Sequence, residues 1–110
     1  IGGRYVLQHG ISHAILLAPA MRRLLPAIGA DQAFVHEALG VLPGTSAADA
    51  AGQLSALVAE LPLPRRLREV GIHRHELSDI AAATMSDYMM ANLPKSMTEP
   101  DVLALLDEAF

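Results

Sequence analysis

The sequence predicts an all-α domain of five to six helices, and three observations carry that prediction. Apolar residues recur at i, i+3, i+4 and i+7 in almost every segment. No stretch keeps the two-residue alternation of a strand for more than about four residues. Residues that start and stop helices punctuate the chain at intervals suited to short helices. In order, His9 to Leu25 presents a broad apolar arc, with Pro19 expected to kink or restart it. Asp31 to Leu39 reads as a shorter helix, with Asp31 as its N-cap and Gly40 as its stop. Pro43-Gly44 reads as a turn. Ser46, with Asp49 three residues on, opens a third helix whose core stripe is Leu54, Leu57, Val58 and Leu61.

Pro62 and Pro64 end that helix, and Arg65 to Val70 reads as a short one closed by Gly71. Glu76 to Met90 has the clearest period: Leu77, Ile80, Ala81, Thr84, Met85, Tyr88 and Met89 fall on one face. Asn92 to Met97 reads as a loop. Thr98 caps a last helix, with Pro100 in its first turn and Asp101 at the third position. Arg4 to Leu7 is the only candidate for extended chain, and it is short.

Composition narrows the function. The 110 residues suffice for one domain with one core. At 52% hydrophobic residues, the domain is expected to show apolar surface to a partner chain or a further domain. Charged residues or proline interrupt every apolar run, so no membrane span is expected. The absence of cysteine excludes a disulfide framework, thiolate-bound zinc and a thiol nucleophile, and is compatible with the cytoplasm. A net charge of −4 is the wrong sign for nucleic acid, and 4% aromatics without Trp leave no stacking platform. The start at Ile1-Gly2-Gly3, without Met, reads as a fragment start.

Chemistry is concentrated in the histidines. His9 and His13 are spaced i, i+4, so on a helix they share a face and could grip one metal ion. From spacing alone, the more ordinary reading is a pair bonded to loop backbone. Gly10, with Gly2-Gly3 upstream, is a composition expected where backbone passes close to a ligand. His73 and His75 read as a solvated turn, and His36 as a surface or boundary residue. Arg65, Arg66 and Arg68 could hold a phosphate or carboxylate, but Glu69 interrupts them and a solvated face is the plainer reading. Arg22 and Arg23 read the same way. No dinucleotide or phosphate-loop glycine motif is present.

The segment Gly2-Gly3-Arg4-Tyr5-Val6-Leu7-Gln8-His9-Gly10-Ile11-Ser12-His13-Ala14-Ile15-Leu16-Leu17 resembles the signature of iron-containing (group III) alcohol dehydrogenases, in which a glycine-rich step leads into H-G-x-x-[NH]-A-[IV]-L-L-P. The second histidine is similar to the maleylacetate reductase branch. Pro26-Ala27, the segment Leu67-Arg68-Glu69-Val70-Gly71-Ile72, and Asn92-Leu93-Pro94-Lys95-Ser96-Met97-Thr98 resemble further motifs of that family in the same order. The family's L-L-P stands here as Leu17-Ala18-Pro19.

The resemblance implies the helical C-terminal half of a dehydroquinate synthase-like or iron-dependent dehydrogenase: residues 1–110 as one metal-site domain, with the N-terminal nucleotide-binding domain absent. It implies NAD(P)-dependent interconversion of an alcohol and a carbonyl, with His9 a ligand of a divalent ion, iron or zinc, and His13 catalytic. No cofactor is expected to bind this chain tightly by itself. The expected partners are a small alcohol or carbonyl substrate and further copies in a homo-oligomer, with no nucleic acid, no membrane and a cytoplasmic location. The alternative is a free-standing, non-catalytic helical interaction module.

Overall fold

The computed structural model describes residues 1–40 and 46–110. Among them, five α-helices carry the fold: α1 (His9–Leu24), α2 (Gln32–Ala38), α3 (Ala47–Ala59), α4 (Leu77–Met85) and α5 (Glu99–Ala109). Short 3-10 segments at Leu25–Asp31, Leu67–Val70, Arg74–Glu76 and Tyr88–Asn92 join them. The described residues contain no strand, as the all-α reading requires. Arg4 to Leu7 is not extended: the amides of Arg4 and Tyr5 both bond the Ile1 carbonyl, closing a turn.

Helix α1 is the hub. It packs against both α3 and α5, and α5 packs in turn against α4. Ile15 of α1 joins Leu77, Ile80 and Ala81 of α4 and Val102, Leu106 and Ala109 of α5 in one buried cluster. Leu67 and Ile72, from the segment leading into α4, are essentially inaccessible and complete it. Gly71 ends the 3-10 segment at φ +82, a conformation that favours glycine, and so turns Ile72 back into the core.

The helix starts form as local chemistry dictates. Ser46 Oγ accepts from the Asp49 amide at 3.2 Å and opens α3. Thr98 Oγ1 accepts from the Asp101 amide, and the Asp101 carboxylate takes the Thr98 amide at 2.8 Å, closing a reciprocal box on α5. The same two-way arrangement holds His73 and Glu76 ahead of α4.

Other expectations need correction. Of the two outcomes expected at Pro19, a restart does not occur: α1 runs through the proline as one helix, without that residue's N–H bond. Asp31 makes no side-chain cap: it is helical itself, as the last residue of the preceding 3-10 segment. Gly40 takes positive φ at the end of α2, as expected, while Pro43-Gly44 lies outside the described residues. The core face of α3 is Ala50, Ala51 and Leu54, whereas Leu57 and Leu61 are about half exposed.

The long helix expected to reach Met90 stops at Met85. Thr84 Oγ1 bonds back to the Ile80 carbonyl at 2.7 Å, and Asp87 adopts extended backbone to cap the Met89 amide at 2.9 Å. Those side-chain bonds offer the backbone an alternative to helix. The turn throws Tyr88 and Met89 into solvent.

His36 is not a surface residue; it is 6% exposed. Gln32, Val35, His36 and Leu39 are the less exposed positions of α2, so the helical period assigns His36 an inward slot, while Phe34 faces out. Its Nε2 has no hydrogen-bond partner among the described residues.

The run His9–Ala38 contains an 18-residue window with mean hydropathy 1.2, apolar enough for a span by composition alone. It is not one rod, because Gly29 breaks it at φ 58, ψ −127. α1 itself has 16 residues, short of the roughly 20 a bilayer requires.

One ion cluster fastens the hub. Arg22 and Arg23, in the last turn of α1, both pair with the Glu108 carboxylate of α5, and Arg66 Nη1 bonds the Glu108 carbonyl at 3.0 Å. The three side chains of the ion cluster are roughly a third exposed, so solvent screens part of the attraction. Glu108→Ala should lower unfolding free energy by about 1–2 kcal/mol, because two adjacent guanidinium groups lose their only shared counter-charge. Chemical denaturation checks this; an unchanged midpoint would show that the cluster contributes nothing to stability.

A second prediction concerns acid. The Thr98 amide and hydroxyl hold the Asp101 carboxyl below its ordinary pKa, and the His73 amide does the same for Glu76. A carboxyl whose folded pKa is depressed contributes stability that is present above its unfolded pKa, about 4, and is lost as pH falls through the folded value. Asp101→Ala should therefore be less stable than the parent at neutral pH, with the gap closing as pH drops below about 4. Thermal melts of both proteins across that range read it out, and a gap independent of pH would contradict it.

Candidate active site

The first turn of α1 places the two histidines. Gln8 is extended and supplies no side-chain cap, and the helix begins at His9. One turn later His13 stands beside it, with ring centroids 4.2 Å apart and planes at 60°. Both residues are exposed. The i, i+4 spacing thus produces the shared face expected of it.

The hydrogen bonds at this turn settle the chemistry of one ring. His13 Nδ1 lies 2.8 Å from the His9 carbonyl oxygen. A carbonyl can only accept, so Nδ1 carries the proton and, in the neutral ring, Nε2 carries the free lone pair. The same carbonyl takes a bond from Ser12 Oγ at 2.8 Å. Ser12 is buried, at 7% exposed. Sequence reasoning passed over Ser12; its signal was the Ser/Thr habit of bonding back to the preceding turn of a helix.

The pair borders a groove of about 840 Å³ between α1, α4 and α5, a size suited to a small ligand. Leu16, Ala20 and Leu24 give its α1 wall, while Thr84 and Asp87 enter from α4 and the turn after it. Asp87 reaches this wall because α4 ends early. Arg4, also on the groove, pairs with Asp79 at 3.5 Å and ties the Gly2-Gly3 turn to α4.

The donor set fits a divalent iron or zinc ion in kind, because both accept imidazole nitrogen. A ring whose Nδ1–H is bonded to a backbone carbonyl is also the usual state of a metal-ligating histidine. In number the set is incomplete: no group of three His, Asp or Glu side chains able to hold an ion occurs among the described residues. His73 and His75 stack on each other at 5.7 Å in an exposed turn away from this groove, as the solvated-turn reading has it. Gly10 has positive room to spare, since a Cβ there would meet nothing within 4 Å. The open space beside Gly10 leaves the first turn of α1 accessible from the groove side.

A family model described as the Fe-containing alcohol dehydrogenase family, C-terminal, matches residues 1–110. Two kinds of curated relative align over the whole chain. The 1,3-propanediol dehydrogenase of Klebsiella pneumoniae is 28% identical over 115 residues, covering 100% of this chain and 30% of that protein. The lactaldehyde reductase of Escherichia coli K12 is 27% identical, with the same coverage. The chain thus spans under a third of the length of the curated relatives it matches.

The tautomer is directly testable. In long-range ¹H–¹⁵N spectra at alkaline pH, His13 should appear as the Nδ1–H form. An Nε2–H form would show that the bond to the His9 carbonyl is not made.

Proposed function

Since the chain belongs to the Fe-containing alcohol dehydrogenase family, as its C-terminal part, we propose that the complete protein is an NAD(P)-dependent, metal-assisted oxidoreductase interconverting a small alcohol and its carbonyl. The observation that carries this is the exposed His9–His13 pair on a groove of ligand size, within a chain matched by the family model over its whole length. The activities named for the relatives, a propanediol dehydrogenase and a lactaldehyde reductase, support a short-chain substrate of the alcohol and aldehyde class. The maleylacetate reductase reading rests only on the second histidine. Cytoplasmic residence and a homo-oligomeric state go with the same proposal, as does a nucleotide-binding domain outside these residues.

In this reading His9 is the chain's ligand to iron or zinc, and the other ligands come from outside these residues. The ion and NAD(P), when bound, supply polarisation of the substrate oxygen and the hydride carrier. His13 is the chain's own proton-handling group. Its Nδ1–H is anchored to the His9 carbonyl, which leaves Nε2 to accept the hydroxyl proton on oxidation and return it on reduction. Ser12, bonded to the same carbonyl, is a positioning residue: it braces the turn that orients both rings. The apolar α1 wall of the groove keeps water away from the reacting carbon.

Two substitutions in the complete protein separate the roles. His9→Ala should lower bound metal and turnover together, because a lost ligand weakens the ion itself. His13→Ala should leave more of the metal in place while cutting kcat by about a hundredfold or more, the usual scale of a general acid–base group. Metal analysis beside steady-state kinetics reads both. Full metal and full activity in His9→Ala would remove it from the site. These 110 residues alone should show no NAD(P)-dependent alcohol oxidation, and measurable turnover by them would contradict the proposal.

A further inference from the structure

The face of α1 opposite the histidines borders a second cavity, of about 430 Å³. Its floor is apolar, from Ile15, Ala18 and Ala109, all buried. Its charged lining is three guanidinium groups, Arg22, Arg65 and Arg66, against one carboxylate, Glu108. That is an excess of two positive charges in a chain whose net charge is −4, so the cavity runs against the overall field.

Glu108 cannot neutralise this group. Its carboxylate is shared by Arg22 and Arg23. Among the described residues, Arg65 Nη2 bonds only the Ala59 carbonyl, at 2.7 Å, and Arg66 Nη1 only the Glu108 carbonyl, at 3.0 Å. Glu69 bonds the Arg65 backbone amide rather than its guanidinium. Among the described residues, then, no carboxylate pairs with either guanidinium. Each keeps most of its five N–H donors unused, in the planar fork that suits carboxylate and phosphate oxygens. Arg65 and Arg66 are exposed above this apolar floor, so their free donors face any anion that enters, with solvent screening part of the attraction. The volume lies within the usual range for small-molecule sites.

We propose that this cavity is a binding site for a small oxyanion, a carboxylate or a phosphate group, held by Arg65 and Arg66 with Arg22 behind them. The complete arrangement was not legible locally, because the fold brings Arg22 to Arg65 and Arg66 from a segment far away in the chain. The site shares no side chain with the histidine groove, so it stands or falls independently of the catalytic proposal.

The test is thermal unfolding of the full chain titrated with sodium phosphate, sodium acetate or sodium chloride at matched ionic strength. Phosphate, acetate or both should raise the midpoint saturably above chloride, and which of them does so identifies the oxyanion. The Arg65→Gln/Arg66→Gln double variant should weaken that response on the order of tenfold, while Arg68→Gln, an equally exposed neighbour that does not line the cavity, should keep it. Equal shifts with all three salts would overturn the proposal, as would an equal loss in Arg68→Gln. If the double variant does not fold, guanidinium ¹⁵N shifts of the parent decide. Perturbation centred on Arg22, Arg65 and Arg66 supports the site, and perturbation spread over all arginines refutes it.

Discussion

Glu108 sits where three parts of the chain meet. Its side chain receives both arginines from the last turn of α1, and its carbonyl receives Arg66 from the approach to the 3-10 segment at Leu67–Val70. Because Ala109 and Leu106 flank it in the core, the charge cluster lies against apolar packing instead of standing free in solvent. The hub helix is thereby fixed at its C-terminal end by charge and along its middle by Ile15. Its first turn, with His9 and His13, projects from that fixed shaft. The presentation of the histidines depends on how α1 is held, by its buried residues Ser12, Ile15, Ala18 and Pro19 and by the charge cluster at its far end.

This arrangement puts two chemically distinct linings on one helix. Positions 9, 13, 16, 20 and 24 line the histidine groove, while positions 15, 18 and 22 line the arginine cavity. The helical period keeps the two sets on different faces. Pro19, next to Ala18, is accommodated without ending the helix, so the register between the faces is preserved.

What the sequence made legible was whatever is decided within a few residues. The Ser46–Asp49 and Thr98–Asp101 starts, the glycine stop at Gly71 and the shared face of His9 and His13 all depend on spacing alone, and all appear in the structure. The end of α4 depended on a competition that periodicity ignores. Seven apolar or neutral residues in phase argued for helix to Met90, yet the Thr84 back-bond and the Asp87 cap won. His36 was misplaced for the opposite reason: its residue type argued for the surface, and the period of α2 put it inside. Leu57 and Leu61 look like core by type but face outward, with small alanines taking the packed face of α3. Family membership was legible from the motif around His9 and His13, because a motif of that length carries information no single spacing can.

In the proposed function, α1 delivers an imidazole to a divalent ion beside the groove. Anomalous X-ray diffraction at the iron or zinc edge, from crystals of the complete protein grown with that ion, tests it most directly. A peak is expected about 2.1 Å from a ring nitrogen of His9, with His13 Nε2 facing the same space. A fully occupied ion bound elsewhere in the protein, with no anomalous density within ligand distance of either histidine, would contradict it.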